Sequence, residues 1–310
     1  MIQIGLMIEG QDGLNWQRWA RILQSAEDGG FQCVFRSDHY TNAGGPLKDA
    51  LELWTSLTFA ALQTKRIEFG PLVTPVTFRH PSMTIKHAND VHTLSGGRLV
   101  LGVGAGWQER EHTMFGVPFH DFPTRYAQLT DMLEMIKRLF RGDAPVTYEG
   151  AHFQLREAFL LPRPEPAGGP PILIGGNGPK KTLPLVARYA SEWNAVYIDH
   201  ATYAERSAQL NEMLDQAGRP RESVKRSLMT RILFASDEAG VQRQIESTGQ
   251  TREALLARGL IVGTAGAVVD QIGRWTELGV QRFTLQWLDQ DDIAGLEAMA
   301  RDVLPHFHQG

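Results

Sequence analysis

The chain has 310 residues, 42% hydrophobic and 21% charged, with 31 basic against 35 acidic side chains for a formal net charge of −4. That composition can bury a sizeable core, and the slightly acidic balance leaves no electrostatic footprint for nucleic acid or an anionic membrane as a partner. A single cysteine, Cys33, excludes an intrachain disulfide. No basic leader followed by an apolar stretch opens the chain, and no run of about 18 apolar residues occurs, so the expectation is a cytoplasmic protein.

Short apolar runs alternate with longer amphipathic ones. Residues 2–8 read as a strand. Residues 15–30 read as a helix, with Trp16, Trp19, Ala20 and Leu23 at helical spacing and Gly29-Gly30 as the stop. A second strand covers 33–36, with Cys33 as a small core residue rather than a nucleophile, and a helix follows over 49–65. The third strand, 67–76, is rich in β-branched residues and precedes a helix over 82–95. The fourth strand, 98–106, is followed by a helix over 124–142. Residues 146–155 read as a hairpin turning at Glu149-Gly150, before a Pro-rich connection. The fifth strand is 171–176. Its helix, 179–191, has Pro179 suited to a first turn, while Pro184 marks a kink or a later start. Strand and helix pairs continue at 193–198 and 201–218, then at 225–235 and 264–279. The last pair is 281–288 and 292–307, and 236–262 is a polar, helix-prone excursion.

Eight such alternations imply parallel strands joined by helical crossovers. The expected fold class is α/β: a (β/α)8 TIM barrel with insertions after strands four and seven, forming one domain over 1–310. A doubly wound open sheet is the runner-up.

In a barrel the active site lies at the C-terminal strand ends, and the polar and glycine-rich residues gather there. Strand one ends at Glu9 and strand two at Arg36, Ser37, Asp38 and His39. Strand three ends with Leu72, Val73, Thr74 and Pro75, before Arg79 and His80. GVGAGWQERE (102–111) follows strand four. Gly102, Gly104 and Gly106 fall on one face, where they leave a gap that could take a flat ring or simply form a tight barrel layer. GGNGPKK (175–181) is a phosphate candidate, since small residues let backbone N–H groups approach an anion at a helix start; an ordinary turn is the competing reading. His39 beside Asp38 is a candidate proton donor, its unperturbed pKa of about 6.5 suiting neutral pH; a hydrogen-bonded cap pair is the alternative. His87 and His92 are five apart, off the i, i+4 face, so no metal is expected. Neither a G-x-S-x-G elbow nor a P-loop occurs.

Taken together, VFRSDHY, IEFGPLVTPVTFRHPSMTIKHANDVHTLSGGRLVLGVGAGWQEREHTMFG and PPILIGGNGPKKTLPLVARYASEWN resemble the bacterial luciferase-like oxidoreductases, across nearly the full chain. The resemblance implies a TIM barrel with an isoalloxazine-type cofactor in its mouth. SDHY, GPLVTPVTFRHP and GVGAGWQEREH are more similar to the branch that uses coenzyme F420, an 8-hydroxy-5-deazaflavin, than to the branch that uses FMN and oxygen. It implies His39 as proton donor beside the reactive carbon, with Asp38 at the cofactor's polar edge. It places a non-prolyl cis peptide at Leu72–Val73, followed by Thr74, against the ring. It puts the phosphate at Gly175, Gly176, Asn177 and Gly178, and Gly104, Gly106 and Trp107 along the ring or its ribityl chain. Arg36 departs from the family pattern, and its target, substrate or cofactor tail, stays open. The cation cluster of sugar-phosphate-specific members is not evident, which argues against glucose 6-phosphate. A small-molecule substrate shaped by loops 107–123, 143–170 and 236–262, and a homodimer, are expected. The alternatives are an FMN-dependent monooxygenase and a non-catalytic flavin-binding protein.

Overall fold

The computed structural model describes residues 2–307. Eight parallel strand positions form the barrel wall: β1 (Gln3–Ile8), β2 (Cys33–Arg36), the broken pair β3 (Glu68–Pro71) and β4 (Thr74–Pro75), and β5 (Leu101–Gly104). After the outlying hairpin of β6 (Val146–Glu149) and β7 (Gln154–Ala158) come β8 (Ile172–Gly175), β9 (Glu192–Val196) and β10 (Lys225–Phe234). A short β11 (Ile261–Gly263) precedes β12 (Arg282–Gln286). The hydrogen-bonded order is β3-β2-β1-β12-β10-β9-β8-β5-β4. The circle closes because β3 also meets the strand-four backbone, through the Phe69–Leu99 bridge and the hydrogen bond from Val100 N to Phe69 O (2.9 Å). The expected TIM barrel is therefore observed, with β11 added beside the upper end of β10 at Ile232–Phe234.

The outer layer comprises α1 (Trp16–Gly29), α2 (Leu53–Gln63), α3 (Pro81–Leu94), α4 (Glu109–Phe115), α5 (Phe122–Arg141) and α6 (Thr182–Tyr189), then α7 (His200–Gln216), α8 (Glu238–Ser247), α9 (Arg252–Ala257), α10 (Ala265–Glu277) and α11 (Ile293–Asp302). None of these helices is long and apolar enough to cross a membrane. The ends of α1 follow from residue chemistry. Asn15 Oδ1 accepts from Arg18 N (3.0 Å), and Gly30 closes the helix at φ 87, a left-handed conformation open to glycine. Trp19, Ile22, Leu23 and Ala26 form its buried stripe.

Three segments add detail to the sequence reading, which already allows the helix-prone character of 236–262 and the later start marked by Pro184. Residues 107–123 contain α4, which has no long apolar period to announce it. The helix after strand five begins at Thr182, not Pro179. Pro184 thus stands in the first turn, where its missing N–H costs nothing. The excursion 236–262 holds α8, α9 and β11.

Inside the barrel, Met7, Cys33, Phe35, Leu72, Val100, Leu173 and Met229 pack together. Burial pushes the Cys33 thiol up to about 12, which keeps it unreactive. Below this layer, buried Arg282 pairs with Glu68 and with Glu192 (3.1 Å), and its Nε donates to Gln3 Oε1 (2.9 Å). This cluster fills the end of the barrel where the strands begin and leaves the other end open.

Candidate active site

The open end holds a cavity of about 700 Å³, lined by residues from the ends of β1, β2, β3, β5, β8, β9, β10 and β12. His39, Leu72, Val73, Gly104, Gly106, Trp107, Gly175 and Gly176 line it; Asp38, Thr74, Asn177 and Gly178 stand outside the lining.

His39 follows β2 directly, and its Nδ1 lies 2.7 Å from Glu111 Oε1. Glu111 is buried on α4, and its second oxygen accepts the Tyr40 N–H (2.8 Å). An ionised carboxylate only accepts, so Nδ1 carries the proton and Nε2 is left for the cavity. Burial works against the charged imidazole, but the hydrogen bond and charge of Glu111 outweigh it and raise the His39 pKa above its ordinary value. The exposed indole of Trp107 stands edge-on to His39, ring centroids 5.6 Å apart.

Asp38 has other work than the sequence assigned to it. Its carboxylate is buried, accepts from Thr74 Oγ1 (2.7 Å) and from Arg79 Nη1 (2.6 Å) and Nη2 (3.3 Å), and is not part of the cavity surface. The acid beside the imidazole in space is Glu111, not its neighbour in the chain. Arg36 faces neither a substrate nor a cofactor tail. It is fully buried, donating to Ser56 Oγ (2.5 Å), Leu51 O (2.8 Å) and Ser37 O (3.1 Å), and so ties β2 to the start of α2. Gly10 is glycine because a Cβ there would lie 2.2 Å from the Arg36 guanidinium.

The cis peptide expected at Leu72–Val73 is present and separates β3 from β4. Its bulge carries Val73 into the face left bare by the glycines. A Cβ on Gly104 would lie 2.6 Å from Val73 Cγ2, and one on Gly102 would lie 2.2 Å from Pro71 O. The gap read from the sequence is thus filled by strand three at Gly102 and opens to the cavity at Gly104, Ala105 and Gly106.

At the turn after β8, the Asn177 side chain is spent on β9: it donates to Val196 O (2.6 Å) and accepts from Val196 N (3.0 Å). Gly178 O caps α6 by accepting from Thr182 N (3.0 Å) and Leu183 N (3.1 Å). The backbone N–H groups of Asn177, Gly178, Lys180 and Lys181 have no acceptor among the described residues. They form a donor cluster at a helix start, fitted to an anion, while the glycine-edged cavity beside it fits a planar ring system.

Three further groups escaped the sequence reading: Tyr197, Gln286 and the role of Arg79. Tyr197 adopts φ 44, which is uncommon for a bulky residue, and its hydroxyl donates to Gln286 Oε1.

A barrel with an apolar floor, a glycine-edged mouth, a turn of unpaired backbone donors and a carboxylate-held imidazole at the strand C-termini has the geometry expected of an enzyme active site. The chain belongs to the luciferase-like monooxygenase family, whose model matches residues 2–249. It is 26% identical to an F420-dependent glucose-6-phosphate dehydrogenase of Intrasporangium calvum, over 90% of this chain and 91% of that one. It is also 26% identical to the 4-hydroxyprotoasukamycin monooxygenase of Streptomyces nodosus subsp. asukaensis, over 96% and 89% respectively. The coenzyme F420-dependent tetrahydromethanopterin reductase of Methanopyrus kandleri has the same fold, with a TM-score of 0.81 at 22% identity, covering 99% of both chains.

Proposed function

We propose that this protein is an F420-dependent oxidoreductase that transfers hydride between the deazaflavin and a small organic substrate. The observation that carries the reading is His39, fixed by Glu111 and presented at a cavity whose edge also bears the anion turn. Support comes as well from relatives named as F420-dependent enzymes over most of their length.

When bound, coenzyme F420 supplies or accepts the hydride. The residues that would hold it are the donor turn of Asn177 to Lys181 for its anionic part, and Leu72, Val73, Gly104, Gly106 and Trp107 around its ring system. His39 gives or takes a proton at Nε2, and Glu111 keeps the imidazole in one tautomer and favours its charged form. Leu72, Val73 and Met229 keep water from one side of the cavity, so the protein mainly orients and excludes.

A second reading, an FMN-dependent monooxygenase, is favoured by the kinship with 4-hydroxyprotoasukamycin monooxygenase. Anaerobic absorbance titration of the protein with each cofactor separates them. Binding of F420, with no oxygen uptake on later exposure to air, is the expected result. Tight FMN binding with oxygen consumption would replace the first reading by the second.

A further inference from the structure

Resting on that reading and extending it to the substrate, we propose that one half of the cavity repels anions and receives hydrogen-bond donors. The compound turned over is then an uncharged or cationic hydroxyl or amino compound, with no anionic group at that end.

Five side chains from the ends of β9, β12, β1 and β2 form one directional chain around this half of the mouth. The Tyr197 hydroxyl donates to Gln286 Oε1, and Gln286 Nε2 donates to Glu9 Oε1 (2.6 Å). From the other side, Ser37 Oγ donates to Gln11 Oε1 (2.6 Å), and Gln11 Nε2 donates to Glu9 Oε2 (2.8 Å). Ser37 Oγ itself accepts from Gly10 N (2.8 Å). The polarity is fixed by Glu9. A carboxylate only accepts, so both amides turn their NH2 groups to it and their oxygens away. Each hydroxyl therefore spends its one proton within the chain.

What remains for a ligand is the lone pairs of the two hydroxyls and the two amide oxygens, together with the second N–H of each amide, and no group there carries a positive charge. Tyr197 is held over the mouth by its left-handed backbone, φ 44, and offers a phenol oxygen already committed as donor elsewhere. Burial pushes its pKa up to about 12, so it stays neutral. The cavity lining adds the carboxylate of Asp12, whose Oδ1 lies 3.7 Å from Lys48 Nζ, to that of Glu9, and it contains no lysine or arginine. A phosphate or carboxylate entering this half would meet negative charge with only neutral amide N–H groups to offset it, whereas a hydroxyl or ammonium would find partners. Two guanidinium groups influence Tyr197 from outside the lining. Arg231 lies one side-chain layer above Met229 on β10, and Arg258 is bound to Gln250 Oε1 (2.9 Å). The rim is thus the competing place for an anion, and the experiment must separate the two.

Three probes share one secondary-alcohol skeleton: propane-1,2-diol, 1-aminopropan-2-ol and lactate. Their affinities are read by saturation-transfer NMR on the whole protein, with and without F420, so the ranking does not depend on turnover. Failure of F420 to bind would count against the oxidoreductase reading and leave the ranking of probes to be judged by itself. The diol and the amino alcohol are expected to bind about tenfold more tightly than lactate. In Glu9→Gln, where an amide can donate, that ratio is expected to fall about tenfold. Should Glu9→Gln fail to fold, Asp12→Asn removes a charge without touching the chain and should move the ratio the same way. Lactate binding as tightly as the diol, a ratio unmoved in both variants, or no probe binding at all would overturn the proposal. Loss of such lactate binding in Arg231→Ala would assign anion recognition to the rim.

Discussion

The pKa of His39 is raised by a carboxylate 72 positions further along the chain. Replacing His39 by Ala is expected to lower hydride-transfer turnover by about 10²- to 10⁴-fold, the range for a lost general acid or base, with the far-UV circular dichroism unchanged. Glu111→Gln tests the source of the raised pKa. With the carboxylate gone, burial dominates and the imidazole pKa falls. In the direction where His39 accepts a proton, activity rises with pH through that pKa, so the rising limb of kcat/KM should move to lower pH in the variant. The same pair enters stability with a definite sign. A histidine whose folded pKa is raised contributes fully below its unfolded value of about 6.5, and that contribution is lost as pH rises through the folded pKa. Asp38 makes a contrasting prediction. Asp38→Asn leaves Arg79 with Glu52 alone and should cost about 3 kcal/mol, the usual scale for breaking a buried pair, read as a lower urea midpoint at an unchanged m-value.

Among the elements, the broken strand β3–β4 places the floor of the site, and Gly104 is its contact point. Gly104→Ala would drive a Cβ into Val73 Cγ2 at 2.6 Å, so the Val73 side chain or its bulge must shift. The expected outcome is at least about tenfold weaker binding of the cofactor, measured by fluorescence titration, with a stability loss of about 1–3 kcal/mol from overpacking. An unchanged affinity would show that the bulge does not shape the site. Period and punctuation made most elements legible in the sequence. Strand-sized apolar runs, β-branched residues and glycine stops gave all eight barrel strands and their crossover helices. The rim residues Glu9, His39, Leu72, Val73 and the glycines follow from where those strands end. α4 was not legible, because its seven residues, Glu109–Phe115, bury only Glu111 and His112 and carry no apolar stripe. Without α4, adjacency in sequence made Asp38 the natural partner of His39. The pairing Asp38 makes with Arg79 spans 41 positions, and no periodicity reports it. Tyr197 was hidden for a similar reason: a left-handed tyrosine at a strand end leaves no mark in composition or spacing.

At the scale of the whole molecule, one end of the barrel is sealed by charge and the other is left open for chemistry. The seal predicts that Arg282→Met costs about 3–5 kcal/mol in urea unfolding, because Glu192, 3% exposed, would keep its charge without its cation. The outside surface bears on assembly. The outward sides of α2 and α3 expose Leu62 (65%), Met83 (51%) and Leu94 (49%), and Trp16 (45% exposed) packs on Phe59 of α2 nearby. Exposed apolar side chains on two neighbouring helices are the kind of surface that association covers. We propose that a second copy of the chain covers it, since a two-fold interface needs one self-complementary patch and no other partner. Light scattering is then expected to give twice the chain mass. Leu62→Glu with Met83→Lys should return the monomer mass while leaving the far-UV spectrum intact. Both helices follow the strands that carry His39 and the β3–β4 bulge, so the monomeric variant should also bind the cofactor several-fold more weakly. A monomeric wild-type protein at micromolar concentration would remove the dimer and leave the site, which is built within one chain, as described.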